Sequence, residues 1–258
     1  MIEREIERIG RRGARQFCGM LWSLMDPFPS TDYKSLYRRF QSPIAALDCG
    51  EKCSPYNEGG APFCCDTRHA VPTAYPAEWE YLQANTNLWH IWQGETPAET
   101  ERLHSLAPEG QVLIACSGYA FCQREYRSIV CRAFPFFPYI TRQGEFIGLA
   151  YYWEYEDRCW VVSNLATVRE NYRAEFMAFF DDLFARLPGE LEVFRGYSST
   201  MRRVFGRRKR AIPLLHRNGL WYKITPRNGR ARRISPEQLA EHGPYKIAAQ
   251  LPFPDESG

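Results

Sequence analysis

"CQREYRSIVCRAFPFFPYITRQGEFIGLAYYWEY", residues 122–155, changes character twice along its length. It opens with two cysteines nine apart, Cys122 and Cys131, with Cys116 just upstream. A dense run of aromatics and prolines follows. The remainder, "FPYIT" and "FIGLAYYWEY" on either side of "RQGE", reads as an antiparallel hairpin turning near Gly144. A second hairpin is written at 212–224, "IPLLHRNGLWYKI", with Asn218-Gly219 at its turn.

Between the hairpins, "LATVRENYRAEFMAFFDDLFARLPG" (165–189) carries Val168, Tyr172, Phe176, Phe179, Phe180, Leu183 and Phe184 on one helical face. Pro188-Gly189 reads as its stop, and a further helix is expected at Ser198–Phe205. "RCWVVS" (158–163) and "QVLIAC" (111–116) read as strands. Helical patterns occupy Pro76–Ala84, Pro97–Leu106 and "DYKSLYRRF" (32–40). "SPEQLAEHG" (235–243) reads as a short capped helix. Residues 2–25 also have helical character, interrupted at Gly10 and Gly13. The expected class is α+β: helices packed on small antiparallel β-hairpins, with cysteine-rich loops organised by a metal. The expected division is an N-terminal helical segment (1–47), a cysteine-cluster domain (48–189) and a basic extension (190–258).

The chain's 258 residues, 45% hydrophobic and 24% charged, can bury a sizeable core, and aromatics at 15% make it rich in rings. No apolar run approaches the ~20 residues of a membrane span. The opening "MIEREIERIGRRGARQF" mixes acids with arginines and lacks the apolar core of a secretory signal. The expectation is a cytoplasmic protein without membrane partners. In a reducing compartment nine cysteines point to metal binding or redox chemistry rather than to disulfides. GxSxG, Walker A and GxGxxG motifs are absent, which removes the usual support for hydrolase, phosphate-loop and dinucleotide readings.

Seven cysteines cluster in two sets. Cys49, Cys53, Cys64 and Cys65 are spaced C-x3-C-x10-C-C, and Cys116, Cys122 and Cys131 are spaced C-x5-C-x8-C. The first set lies in a Gly- and Pro-rich segment, 48–74, with no apolar period to organise it. Thiolates are soft ligands suited to zinc, iron–sulfur clusters and Cu(I). Seven exceed one tetrahedral set, so three remain for a second metal, for structure or for chemistry. Cys18 and Cys159 stand apart and read as small buried apolar residues. His69, four residues after Cys65, is a candidate fourth ligand with an exposed loop position as the alternative, and Asp66 is a candidate outer acceptor.

"CSGYAFCQREYRSIVCRAFPF" resembles the C-terminal signature of the YkgJ-type (CxxCxxCC) cysteine-cluster family of zinc- or iron-chelating proteins. The matching positions are Cys116, Cys122, Tyr126, Arg127, Cys131, Arg132, Phe134 and Pro135. "CGEKC…CCDTRHAVPTAYPAEWEYL" resembles the family's upstream cluster, followed by a strand and a helix with an acidic residue, here Glu78 or Glu80. Two departures are the longer Cys53–Cys64 segment and Arg127-Ser128 in place of Arg-Pro. The resemblance covers roughly 48–163. It implies a metal-binding domain distantly related to flagellin lysine N-methylases, whose similar cysteines are held to carry an iron–sulfur cluster. On that basis the seven cysteines are the expected ligands, of an iron–sulfur cluster ahead of zinc. Asp66, Tyr126, Arg132 and Phe134 are expected around them. Arg132 would offset thiolate charge, and "FPFFPY" would wall the site, with plain core packing as the alternative reading of the rings.

The net charge of +3 conceals a segregation. Met201–Arg233 holds 12 Lys and Arg and no acid, leaving 21 basic and 30 acidic residues elsewhere. Arg203, Arg207, Arg208, Lys209, Arg210, Arg230, Arg232 and Arg233, interleaved with Phe205, Trp221 and Tyr222, form a candidate surface for nucleic acid or another polyanion. A solvated face, or pairing with the chain's own acids, is the alternative. The resulting functional expectation is a metal-binding protein. The alternatives are a cluster-dependent, lysine methylase-like group-transfer enzyme and a nucleic-acid-binding module with a structural zinc.

Overall fold

A computed structural model describes residues 28–107 and 110–245. The helical pattern at 2–25, and Cys18 within it, lie outside the described residues. The chain is α+β, with two antiparallel sheets and eight helices of four or more residues among the described residues. It divides into two units: residues to Tyr37 with Val71–Val130, and Arg38–Ala70 with Cys131 onward.

Helix α1 (Tyr33–Arg39) begins in the first unit and α2 (Cys49–Cys53) belongs to the second. The first unit continues with β1 (Thr73–Ala74), α3 (Pro76–Asn85), β2 (Trp89–Ile91), α4 (Pro97–Leu106) and β3 (Val112–Cys116). Its sheet has the order β1-β3-β2, antiparallel throughout, with Trp89 opposite Cys116. Both longer helices start as their sequences dictate. Proline takes the first helical position in each, where its missing N–H costs nothing, and Thr96 caps α4 by accepting from Glu99 N. Tyr81 of α3 stacks on Tyr33 and meets Tyr37 edge-on. Glu78 of α3 is buried, and its Oε1 accepts from Tyr37 Oη (2.6 Å) and from the Ile129 amide (2.7 Å). A buried carboxylate is tolerated only with such donors.

The second unit takes up α5 (Ile129–Ala133) from Cys131 and continues with β4 (Phe136–Ile140), β5 (Phe146–Tyr151), α6 (Trp160–Ser163), α7 (Glu170–Arg186), α8 (Pro188–Arg207), β6 (Ile212–His216), β7 (Trp221–Ile224) and β8 (Ala231–Arg233). The five strands form an antiparallel meander, β4-β5-β6-β7-β8. Both expected hairpins are present, and Gly144 and Gly219 supply the left-handed turn conformations, φ +89° and +83°. Phe176, Phe179, Phe180, Leu183 and Phe184 give α7 its buried face, and α8 packs on α7 and on β4. Ser198 of α8 accepts the Ile140 amide at 2.9 Å and donates to Phe194 O, tying the helix to the strand.

Three segments differ from expectation. Pro188-Gly189 ends α7 but does not end helix: Pro188 opens α8, which runs 20 residues rather than from 198 to 205. Proline stops a helix from within and starts one at its first position. "RCWVVS" forms the short helix α6 instead of a strand, since a four-residue apolar run carries no period that separates the two. Residues 235–243 give a 3-10 turn, Pro236–Gln238, closed by a Ser235/Gln238 capping box.

Candidate metal centre

Asp48 caps α2 by accepting the Gly50 amide at 2.8 Å, and the single helical turn then sets Cys49 and Cys53 four apart on one face. A 3-10 turn, Phe63–Cys65, brings the cysteine pair to the same unit, with Cys64 Sγ and Cys65 Sγ 3.9 Å apart. The third contributor is Cys159, immediately before α6, and α6 packs against α2. Sequence spacing left Cys159 apart from the cluster, and only the packing of α6 on α2 recruits it.

The sulfurs lie within electrostatic reach of one another. The Cys64 thiol is pushed up by its hydrogen bond with Cys65, then by burial and by Cys65, Cys159 and Cys49. Burial pushes Cys159 up to about 12, with Cys49 and Cys53 adding to it. Burial raises Cys53 as well, and Cys65 and Asp48 contribute. Five cysteines from three segments thus lie near one another, Cys53 buried and the other four half-buried. Their donor chemistry fits a soft cation, whose charge would reverse this mutual destabilisation of thiolates. Among the described residues no three His, Cys, Asp or Glu side chains stand around a single point as a metal-holding group, so the sulfurs share a region rather than a closed polyhedron.

The surroundings are aromatic. Cys53 packs with Phe63 and Tyr245, and Trp160 lies against them. Tyr155 and Tyr172 also feel the thiols: burial chiefly raises both, with Cys64 and Cys159 contributing at Tyr155, and Cys49 and Cys159 at Tyr172. Of the "FPFFPY" run, Phe134 meets Tyr155 edge-on at 4.7 Å and stacks on Tyr152, while Phe136, Phe137 and Tyr139 are core of β4. Arg132 is buried, and its Nη1 donates to Phe40 O at 2.5 Å.

Asp66 fixes the loop between the cysteines. It accepts from Asn57 Nδ2 (2.9 Å) and from Arg68 Nε and Nη2, and the Arg68 guanidinium holds its carboxyl well below the usual range. His69 is engaged at both ring nitrogens, Nε2 with Asn57 Oδ1 (3.1 Å) and Nδ1 with Arg158 Nη1 (3.5 Å). Burial lowers its pKa, with Arg158 adding to the effect. Its ring is part of the loop's scaffold.

The other expected ligands are distributed between the units. Cys116 ends β3 and Cys122 follows a 3-10 turn, Tyr119–Phe121, both in the first unit. Arg127 Nε donates to Cys122 Sγ at 3.1 Å. The Tyr126 carbonyl accepts from Trp89 Nε1 at 2.8 Å. Cys131 lies in α5, at the start of the second unit's later part.

The basic residues also separate into kinds. Arg208 and Arg210 both pair with Glu156 Oε2, at 3.0 and 2.8 Å, and Arg210 stacks over Phe205. Arg203 is exposed and bonds Thr200 Oγ1; Arg207, Lys209, Arg230, Arg232 and Arg233 are exposed, the last two on β8. Among the described residues no helix is long and apolar enough to cross a membrane. Comparison of the chain with protein-family models, curated proteins and solved structures gave no match.

Proposed function

We propose that this chain is a metal-binding protein of a reducing, cytoplasmic compartment, holding an iron–sulfur cluster or zinc on clustered cysteine thiolates. One observation carries the reading: Cys49, Cys53, Cys64, Cys65 and Cys159 gather from three separate segments of one unit, and Cys53 among them packs with Phe63, Trp160 and Tyr245. Thiols gathered in this way from separate loops are the donor set of a structural metal site, and metal binding there would help hold the loops together. Cys116, Cys122 and Cys131 remain candidate ligands through the YkgJ-type resemblance. A cluster would supply one-electron chemistry in a site with restricted water access; zinc would supply a structural cross-link. Group transfer of the lysine N-methylase kind, and nucleic-acid binding beside a structural zinc, are the alternatives. The commitment of Arg208 and Arg210 to Glu156 supports an internal role for that part of the basic segment.

The test is anaerobic purification followed by a visible spectrum and elemental analysis for Fe, Zn and sulfide. The expected result is either a brown protein with iron and sulfide or a colourless one with about one zinc. Cys53→Ser and Cys159→Ser are expected to lose the metal. A protein free of both metals, or full metal content in the Cys53→Ser/Cys159→Ser double variant, overturns the assignment.

A further inference from the structure

Away from the thiols, a cleft of about 390 Å³ opens in the second unit beside α8. Four guanidinium groups line it: Arg142 from the turn between β4 and β5, and Arg195, Arg202 and Arg203 from α8, with Ser199 and Pro226 completing the wall. Only Arg203 belongs to the basic surface marked out by the sequence. The cleft lacks a role in the metal reading.

Neutral groups hold Arg142, Arg202 and Arg203 in place, the last through Thr200 Oγ1 at 2.8 Å. Arg142 Nη2 donates to Pro226 O (3.2 Å) and Arg227 O (2.8 Å), and Arg195 Nη2 donates to Arg142 O at 3.0 Å. Arg202 is 8% exposed. Its Nη1 donates to Tyr139 Oη (3.2 Å) and Ile140 O (2.9 Å), and its guanidinium lies 5.5 Å from the centre of the Tyr139 ring. These bonds occupy Nη1 and leave the Nε–Nη2 edge of Arg202 without a protein acceptor among the described residues. That edge is the fork that binds an oxyanion side-on. The carboxylate paired with the set is Glu192, which accepts from Arg195 Nη1 at 3.2 Å.

Among the described residues three of the four guanidiniums therefore share a cleft with no carboxylate to neutralise them. Like charges sharing a cleft repel; backbone carbonyls hold Arg142 and Arg202, Tyr139 also holds Arg202, and Thr200 Oγ1 accepts from Arg203, so part of the ordering is done before a ligand arrives. A monocarboxylate leaves most of the charge uncompensated, whereas an anion of charge two or more matches it. At about 390 Å³ the cleft is of the size of a small-ligand site rather than of a lone ion. We propose that this cleft binds a phosphate-bearing ligand of at least two negative charges, a phosphate monoester or diphosphate, gripped by Arg142, Arg202 and Arg203 with the Ser199 hydroxyl beside them.

The experiment is calorimetric titration of the full-length protein with inorganic pyrophosphate at low salt, alongside ADP and citrate. Arg142→Gln and Arg203→Gln are the test variants, because both side chains are exposed; Arg102→Gln, exposed on α4 and outside both basic surfaces, is the control. Saturable binding of one pyrophosphate is expected, weakened about tenfold or more by each test variant and unchanged in the control. ADP binding as pyrophosphate does identifies a site that reads the diphosphate alone; ADP binding more tightly identifies a nucleotide as its source. Absence of saturable pyrophosphate binding, equal weakening in the control, or citrate binding as tightly as pyrophosphate overturns the proposal.

Discussion

Asp66 and Glu154 are carboxylates of the same unit with opposite energetic signs. Asp66 sits against Arg68 and the Asn57 amide, so ionisation is favoured and it stabilises the loop at neutral pH. Glu154 is the reverse. Burial pushes its carboxyl up to about 7 from 4.5, its own backbone N–H and Arg208 oppose the shift, Glu156 adds to it, and Tyr152, Tyr155 and Tyr197 lie around it. The folded state binds this proton more tightly than the unfolded one. The group's contribution is therefore most favourable below about 4.5 and is lost as pH rises through about 7. The loss amounts to about 3 kcal/mol at most. Glu154→Gln, which keeps the neutral shape, should leave the melting temperature nearly unchanged at pH 5 and raise it at pH 8. An equal effect at both pH values would show that the carboxyl titrates normally.

At the scale of the element, β5 meets β6 through a glycine. A Cβ at Gly148 would lie 2.3 Å from Leu215 O and 2.8 Å from His216 Cα, both backbone atoms that no side-chain rotation can move aside. Gly148→Ala should shift the urea midpoint downward by the equivalent of about 2 kcal/mol or more. Gly196, in the middle of α8 with nothing within 4 Å of its Cβ position, behaves oppositely: Gly196→Ala should stabilise by about 0.5–1 kcal/mol. The hairpins containing these strands were legible because Gly144 and Asn218-Gly219 punctuate apolar runs with turn chemistry. The helix faces were legible because Phe176, Phe180 and Leu183 recur at helical spacing. The start of α8 was hidden because a Pro-Gly pair signals a stop and, equally, a first helical turn. At the candidate site, spacing exposed Cys49, Cys53, Cys64 and Cys65, since α2 and the Phe63–Cys65 turn are local structures. Cys159 was illegible for the converse reason: its nearness to α2 is a tertiary fact about α6, which four apolar residues do not announce. The arginine cleft was hidden likewise, its residues coming from a turn at 142, from positions 195 to 203 of α8 and from Pro226.

The second unit as a whole joins two kinds of stability. Around β4 to β7 and α7, the side chains of Phe136, Phe137, Tyr139, Phe176, Phe180, Phe205 and Ile212 are buried, and at about 25 cal/mol per Å² of apolar surface this core sustains itself. Residues 48–70 have little of this. They hold a five-residue helix and 3-10 turns at Ser54–Tyr56 and Phe63–Cys65, and the buried apolar set there is Cys53 and Phe63 with Tyr245. Polar ties such as Asn57–Asp66–Arg68 shape the loop, yet each contributes only about 1 kcal/mol net, which is small against the entropy of ordering twenty-odd residues. If thiolates hold a cation there, metal binding supplies the missing free energy, and the two regions come apart when it is withdrawn. Amide hydrogen exchange before and after anaerobic treatment with a chelator tests this. Protection should fall sharply over 49–70 and 159–163 and persist in β4 to β7 and in α7. Uniform loss would make the metal a requirement of the entire core, and unchanged protection at 49–70 would mean that Asp66 and its partners hold the loop unaided.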